Sequence, residues 1–351
     1  MHKRSSAILR ATLLAVIVGI ATPGLAAPPE GKGGGKDKGG EVCEEGLFSP
    51  VILLAGSGAT TSNEGPFQMK EDGSCLEAIS VFGDLTHNGG PGEPRYFLVA
   101  EQQLDLSYEL DVYSEDGVWL SRLTRDVPRN IHHLPRWSND GRQVTYAGSL
   151  YNPNSEEVEA GIFVGNVVFD NDGVPVSLEN ERLVVARGND YLIPFLSWSW
   201  DDTRIAYGVS VKAFSEIYVV DLSNPLTPYE VHIEGGGEVH TPNFSPVDDR
   251  LAFRQRTSLS GCVDIYVVDL PRGYDGVTAL PATQVTKPKN LSRVCPSGVP
   301  EWEPNGDYFA FTDGTHLGQI HKIRSDGTGK SVKLTDNRKQ EQGYFVIGWR
   351  D

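Results

Sequence analysis

Two phrases that alternate along the chain, and the lack of any sustained helical period, predict an all-β fold. The architecture they imply is a six-bladed β-propeller of four-stranded antiparallel blades, with the ring closed by the C-terminal strand. The first phrase reads PRWSNDGRQVTYA from Pro135, LSWSWDDTRIAYG from Leu196, PNFSPVDDRLAFR from Pro242 and PEWEPNGDYFAFT from Pro300. Each copy has an aromatic residue, a polar turn rich in Asp, Asn or Gly, and a short alternating strand. PRYFLVA from Pro94 is a weaker copy, and VIGWRD at the C-terminus is a terminal echo.

The second phrase follows the first: YELDVYSEDG from Tyr108, EIYVVDLSN from Glu216, DIYVVDLPR from Asp264 and QIHKIRSDG from Gln319. Alternating apolar residues that run into a Gly or Asp turn read as a half-buried strand entering a hairpin. Short third strands such as LSRLT at Leu120 and SVKLT at Ser331 come next, and GPFQMKEDGSCLEAIS from Gly65 is a degenerate first copy of the second and third phrases. The marker aromatics Tyr96, Trp137, Trp198, Phe244, Trp302 and Trp349 lie 41, 61, 46, 58 and 47 residues apart. A four-stranded blade needs about 40–50 residues, so the longer intervals imply blades with extended connections. A β-sandwich would also show alternating strands, but would not require this order of phrases. The segment 344–349 matches the first strand of a repeat, whereas the chain from Val51 supplies only the later strands of one. The last strand is therefore expected to complete blade one, a role for which Phe48-Ser49-Pro50 competes.

The ends and the composition bound the setting. Lys3, Arg4 and Arg10, a short apolar run from Leu13 to Ala21, and Gly24-Leu25-Ala26 form an export signal over residues 1–26. The run is well short of the ~20 residues that span a bilayer, so the chain is expected not to cross a membrane. Removing the signal takes three positive charges and moves the formal charge from −16 to −19. Such a surface repels nucleic acid and anionic lipid, and no nucleic-acid partner is expected. Residues 27–45, which begin with a Gly/Lys-rich stretch, form a flexible linker, and residues 46–351 form the propeller. Location is expected to be periplasmic or secreted, with a monomeric state.

Four cysteines remain, Cys43, Cys75, Cys262 and Cys295. An even count in an exported chain points to disulfides, and four cysteines allow three connectivities. With the strands of each blade named a to d from the axis outward, the b-to-c and d-to-a connections fall on one face. Cys262 lies in a b-to-c connection and Cys295 in the next d-to-a connection, so these two are expected to pair, which leaves Cys43 with Cys75.

The phrases resemble the repeat of TolB-like (WD40-like) propellers, in which a P-x-W-S-P-D-G-x-x-I-A-F run is followed by I-Y-V-M-D and a short L-T strand. The resemblance covers nearly all of residues 46–351. The α/β domain that precedes the propeller in TolB itself is not expected in residues 1–351. Related repeats occur in scaffold proteins, in peptidase propellers and in oligogalacturonate lyases.

The d-to-a connections over 86–94, 125–135, 188–196, 235–242, 292–300 and 336–342 should surround one mouth of the central channel. His133 and His240 stand two residues before the repeat proline in two blades, and His132, Glu238, Asp190, Tyr191, Arg129 and Arg293 share the same set of connections. These eight are the candidate ligand-binding residues. His133 and His240 are also the candidates for a divalent metal, since imidazoles with nearby carboxylates can hold one. In the lyases that the repeat resembles, a His-rich channel binds a metal that acidifies a sugar proton. Asp170-Asn171-Asp172-Gly173 lacks the distal Glu of a calcium loop and reads as a hairpin turn. No Gly-x-Ser-x-Gly, His-Glu-x-x-His or nucleotide-binding Gly-rich unit is present, so no catalytic residue and no cofactor are assigned. Three functions follow: an exported module that binds an envelope or extracellular protein, a recognition domain for a peptide or glycan, and a metal-dependent carbohydrate-active enzyme of oligogalacturonate-lyase type.

Overall fold

The structure is a computed structural model. It describes residues 51–58, 66–78, 84–89, 96–102, 108–114, 118–124, 129–131, 135–152, 157–186, 195–211, 214–256, 263–287, 295–314, 318–335 and 342–350. The expected export signal and linker lie outside them. Among the described residues there are strands and turns and no helix, hence no helix long and apolar enough to cross a membrane.

The strands form six antiparallel sheets in chain order. The first holds β1 (Val51–Gly58), β2 (Pro66–Lys70) and β3 (Glu77–Ala78). The second holds β4 (Asp84–Gly89), β5 (Tyr96–Gln102), β6 (Tyr108–Ser114) and β7 (Trp119–Arg122). The third holds β8 (Arg129–Ile131), β9 (Arg136–Trp137), β10 (Gln143–Asn152), β11 (Glu157–Phe169) and β12 (Pro175–Ala186). The fourth holds β13 (Leu196–Trp198), β14 (Arg204–Val211), β15 (Phe214–Asp221) and β16 (Tyr229–Glu230). The fifth holds β17 (Glu238–Phe244), β18 (Arg250–Arg256), β19 (Asp264–Asp269) and β20 (Ala282–Gln284). The sixth holds β21 (Pro296–Trp302), β22 (Tyr308–Asp313), β23 (Ile320–Arg324) and β24 (Val332–Lys333). The last strand, β25 (Gln342–Arg350), pairs with β1 and gives the order β25-β1-β2-β3. The register sets Ile52 against Trp349, so the two ends of the described chain share one sheet and the ring closes there.

The four-stranded blade, expected six times, is formed five times; the third sheet has five strands, because β8 and β9 both pair with β10. The cause is visible in its neighbours. In β17 the ladder to β18 slips between His240 and Asn243, and in β21 the ladder to β22 slips between Ser297 and Glu301. Each slip contains the repeat proline, Pro242 or Pro300, which has no N–H to give. In the third sheet the same interruption, at Pro135, divides the innermost strand into two pieces. The long 61-residue interval after Trp137 is accounted for by the hairpin of β11 and β12, of 13 and 12 residues. Its turn is the hairpin expected at Asp170, whose carboxylate accepts from the N–H of Asp172 and Val174.

Tyr96 is a correction. It opens β5, the second strand of its sheet, and the innermost strand is β4, whose sequence DLTHNG carries no aromatic marker. Residues 86–89 therefore belong to a strand rather than to a connection.

Each repeated residue has a physical task. In the a-to-b turn, Ser138 donates to Asp140 (2.7 Å) and receives the Gln143 N–H (2.9 Å), and Ser199, Asp201 and Arg204 repeat the pattern. The marker indole reaches back to the preceding blade: Trp198 Nε1 donates to Arg136 O (3.3 Å) and Trp302 Nε1 to Asn243 O (3.0 Å). The arginine that begins strand b reaches forward, with Arg204 5.2 Å from the Phe244 ring and Arg250 4.9 Å from the Trp302 ring. The threonine of the third strand clasps the start of strand c. Thr124, Thr286 and Thr335 accept from the N–H of Leu110, Ile265 and Ile320 at 2.9, 2.8 and 3.0 Å. These bonds satisfy buried backbone donors at the blade edges, where an unpaired N–H would be costly. Apolar faces pack between successive sheets, as Val164, Ile205 and Tyr207 do between the third and fourth.

Candidate functional site

The candidate site is the end of the ring where strand a begins. β17 carries two of the sequence candidates, and carries them on a strand rather than in a loop. Glu238 and His240 stand opposite Arg256 and Arg254 of β18. Side chains two apart on a strand share a face, which brings His240 Nε2 to 3.4 Å from Glu238 Oε1. Arg256 Nε lies 3.4 Å from the other Glu238 oxygen, and Arg254 Nε donates to Thr241 Oγ1 at 3.2 Å. Thr241 takes a φ of 51° at the strand slip, a left-handed backbone that a β-branched residue adopts only under constraint. Gln255 donates to Gly236 O at 2.6 Å and fixes the approach to β17.

Burial holds the imidazole of His240 below its ordinary pKa. Arg254 pushes the same way, while Glu238 opposes both. His240 is therefore neutral at pH 7 and can accept a hydrogen bond. Burial also lowers the pKa of Arg254. Among the described residues two guanidinium groups and one neutral imidazole accompany a single carboxylate here, so this cluster is cationic on a chain of formal charge −16.

Farther along the inner strands of the third to sixth sheets, the residue before the marker aromatic forms a polar belt. Arg136 Nε donates to Leu196 O (3.0 Å), Ser197 Oγ to Asn243 Oδ1 (3.0 Å), and Asn243 Nδ2 to both Pro300 O (2.9 Å) and Glu301 Oε2 (3.1 Å). Arg136, Ser197 and Glu301 are buried. Desolvation lowers the Arg136 pKa to about 10, and the charge of Glu301, three sheets away, opposes that shift. Arg136 remains charged, and the belt joins four consecutive innermost strands.

Arg129 is placed on β8 opposite Leu150, again on a strand where a loop was expected. His132, His133, Asp190, Tyr191 and Arg293 lie outside the described residues. Among the described residues no group of three or more His, Cys, Asp or Glu could hold a metal ion. Neither described cysteine, Cys75 or Cys295, is a free thiol; Cys43 and Cys262 lie outside. Arg254 and Arg256 are the residues that sequence reasoning missed. The signal was the polar alternation Arg-Gln-Arg at the end of an otherwise apolar strand, LAFRQR.

No family model matches the chain, and no curated protein matches it. Among solved structures it is similar to a TolB-type protein from Agrobacterium tumefaciens, with 14% identity over 85% of this chain and 97% of that one and a TM-score of 0.50. It is also similar to an oligogalacturonate lyase from Vibrio parahaemolyticus (12% identity, 81% and 73% covered, TM-score 0.45). A TolB from Acinetobacter baumannii gives 14% identity, 84% and 83% covered, and a TM-score of 0.36. At such identities the likeness is one of fold. The fold is a β-propeller, similar to that of the TolB-type protein from Agrobacterium tumefaciens.

Proposed function

We propose that the chain is an exported binding scaffold, periplasmic or secreted, that holds a protein, peptide or glycan ligand at the mouth where strand a begins. In this reading residues 1–26 are the export signal, residues 27–45 the linker and residues 46–351 the working domain. The observation that carries it is the cluster of Arg254, Arg256 and the neutral His240 beside Glu238, made cationic by its two guanidinium groups and set on paired strands rather than on loops. Rigid strands pre-organise such groups, and the excess of positive charge favours a ligand with an anionic or hydrogen-bond-accepting group. His132, His133, Asp190, Tyr191, Arg129 and Arg293 belong to the same end of the ring in this proposal. Two disulfides, Cys262–Cys295 and Cys43–Cys75, are part of it.

Affinity capture from the envelope fraction tests the reading. His240→Ala, Glu238→Gln and Arg254→Ala should lose the captured ligand and keep the melting temperature within a few degrees. Asp326→Asn, in a c-to-d turn at the opposite end, should keep the ligand. Equal losses at both ends would remove the case for a mouth-centred site. A stoichiometric manganese or calcium ion that disappears with His133→Ala or His240→Ala would replace it with the metal-dependent carbohydrate-active reading.

A further inference from the structure

The opposite end of blades four and five carries large apolar side chains that the core does not use. Trp200 and Val247 stand in the a-to-b turns, 41% and 46% exposed, and Leu226 and Val277 in the c-to-d segments, 55% and 77% exposed. Val118, Trp119, Phe169 and Val332 are exposed on other sheets as well, so it is the bracing of Trp200, rather than the number of such residues, that marks these two blades.

Trp200 is held in place. Its Nε1 donates to Asp249 Oδ1 at 3.1 Å, across the blade boundary, and Arg272 sits 5.4 Å from its ring. Arg272 is in turn fixed by Asp201 at 2.6 Å and Asp249 at 3.4 Å. The turn carrying Trp200 is also latched to blade three, where Asn139 N and Asp140 N donate to Asp202 at 2.7 and 2.9 Å. An exposed tryptophan already ordered in this way loses little freedom on binding, and Trp and Arg are the residues on which interfaces most depend.

The charge of this surface selects among occupants. Asp221 takes its hydrogen bonds from Ser223 N and Oγ, and Asp275 from Val277 N, Thr278 N and Thr278 Oγ1. These donors are neutral and leave the carboxylate charge in place; those to Asp275 hold its pKa at about 2. A second copy of the same face would set these carboxylates against each other, and anionic lipid would be repelled in the same way.

We propose that the turn end of blades four and five is a docking surface for a protein partner whose contact face interleaves Lys or Arg with apolar side chains, separate from the mouth. The probe is a synthetic 12-residue peptide alternating Lys with Leu and Trp, compared by titration calorimetry with its Glu-for-Lys counterpart. The Lys peptide should bind, and more weakly as salt rises. Trp200→Ala should weaken it about tenfold or more. Val277→Lys, at a position too exposed to disturb folding, should weaken it several-fold. The double variant Glu238→Gln/His240→Ala should bind it like the unaltered protein, which separates this surface from the mouth. The proposal is overturned by absence of binding, by equal binding of the Glu peptide, by indifference to Trp200→Ala and Val277→Lys, or by a dimer that Trp200→Ala dissolves.

Discussion

The two ends of the ring are built differently. At the turn end, short loops are locked by their own Ser and Asp side chains and tied blade to blade, through Asn139 to Asp202, Trp200 to Asp249, and Arg250 Nη2 to Gly306 O at 3.1 Å. At the mouth, among the described residues, the polar groups stand on the ladders themselves, where the repeat proline interrupts pairing and β17 and β21 slip register. The contrast shows that one repeat can do two tasks. Its Ser, Asp and Arg hold neighbouring blades together at one end, and the irregularity forced by its proline accompanies polar side chains on the strands at the other.

Ring closure is the largest break available, because β25 runs the full depth of the first blade. Deleting residues 343–351 removes the innermost strand and the buried Trp349, and exposes the paired edge of β1. The cooperative unfolding transition of the intact protein should vanish; a truncated chain that melts like the intact one would show that closure lies elsewhere.

A substitution at the turn end should come next. Trp302 is buried, donates to the preceding blade and lies under Arg250, so Trp302→Ala should cost about 3–5 kcal/mol in chemical denaturation. An effect below about 1 kcal/mol would mean that the blade-to-blade latches do not set rigidity there.

The threonine clasp at the mouth end tests whether that end is as firmly held. Thr286→Val keeps the shape and leaves the Ile265 N–H without its acceptor, and also removes the 3.0 Å bond to Asp264. About 1–3 kcal/mol should be lost. A neutral result would place the mouth strands among the loosely held parts of the fold.

The smallest effect concerns His240. Its folded pKa lies below the ordinary value, chiefly through burial, so the unfolded chain takes up a proton that the folded chain resists. The stability linked to this group is present above the ordinary histidine pKa and is lost as pH falls through it toward the lowered value. His240→Gln should flatten the denaturation midpoint against pH in that window and leave the alkaline side unchanged. An unaltered pH profile would mean that burial does not depress the pKa of His240.

Much of the fold was legible in the amino-acid sequence. The two phrases located strands a to c of the later blades, and VIGWRD predicted the closing strand, because alternation and turn chemistry are local properties. The second blade was read one strand off, since DLTHNG shows no aromatic and PRYFLVA took its place. The site was legible only in part. His240 became a candidate from its place before the repeat proline and Glu238 from the connection it shares, whereas Arg254 and Arg256 did not, because strand register, a long-range property, brings them opposite.

The sequence by itself determined the all-β class, the order of the repeats and the means of closure, since each follows from the period of apolar residues and from which phrase is missing at each end. Only the tertiary structure decided that the innermost strand of the third sheet is split in two, that Arg136 and Glu301 feel each other's charge across three sheets, and that Trp200 stands exposed but braced by the next blade. Each of these depends on how one blade meets another, and contacts between residues dozens of positions apart are set by packing and register rather than by local pattern.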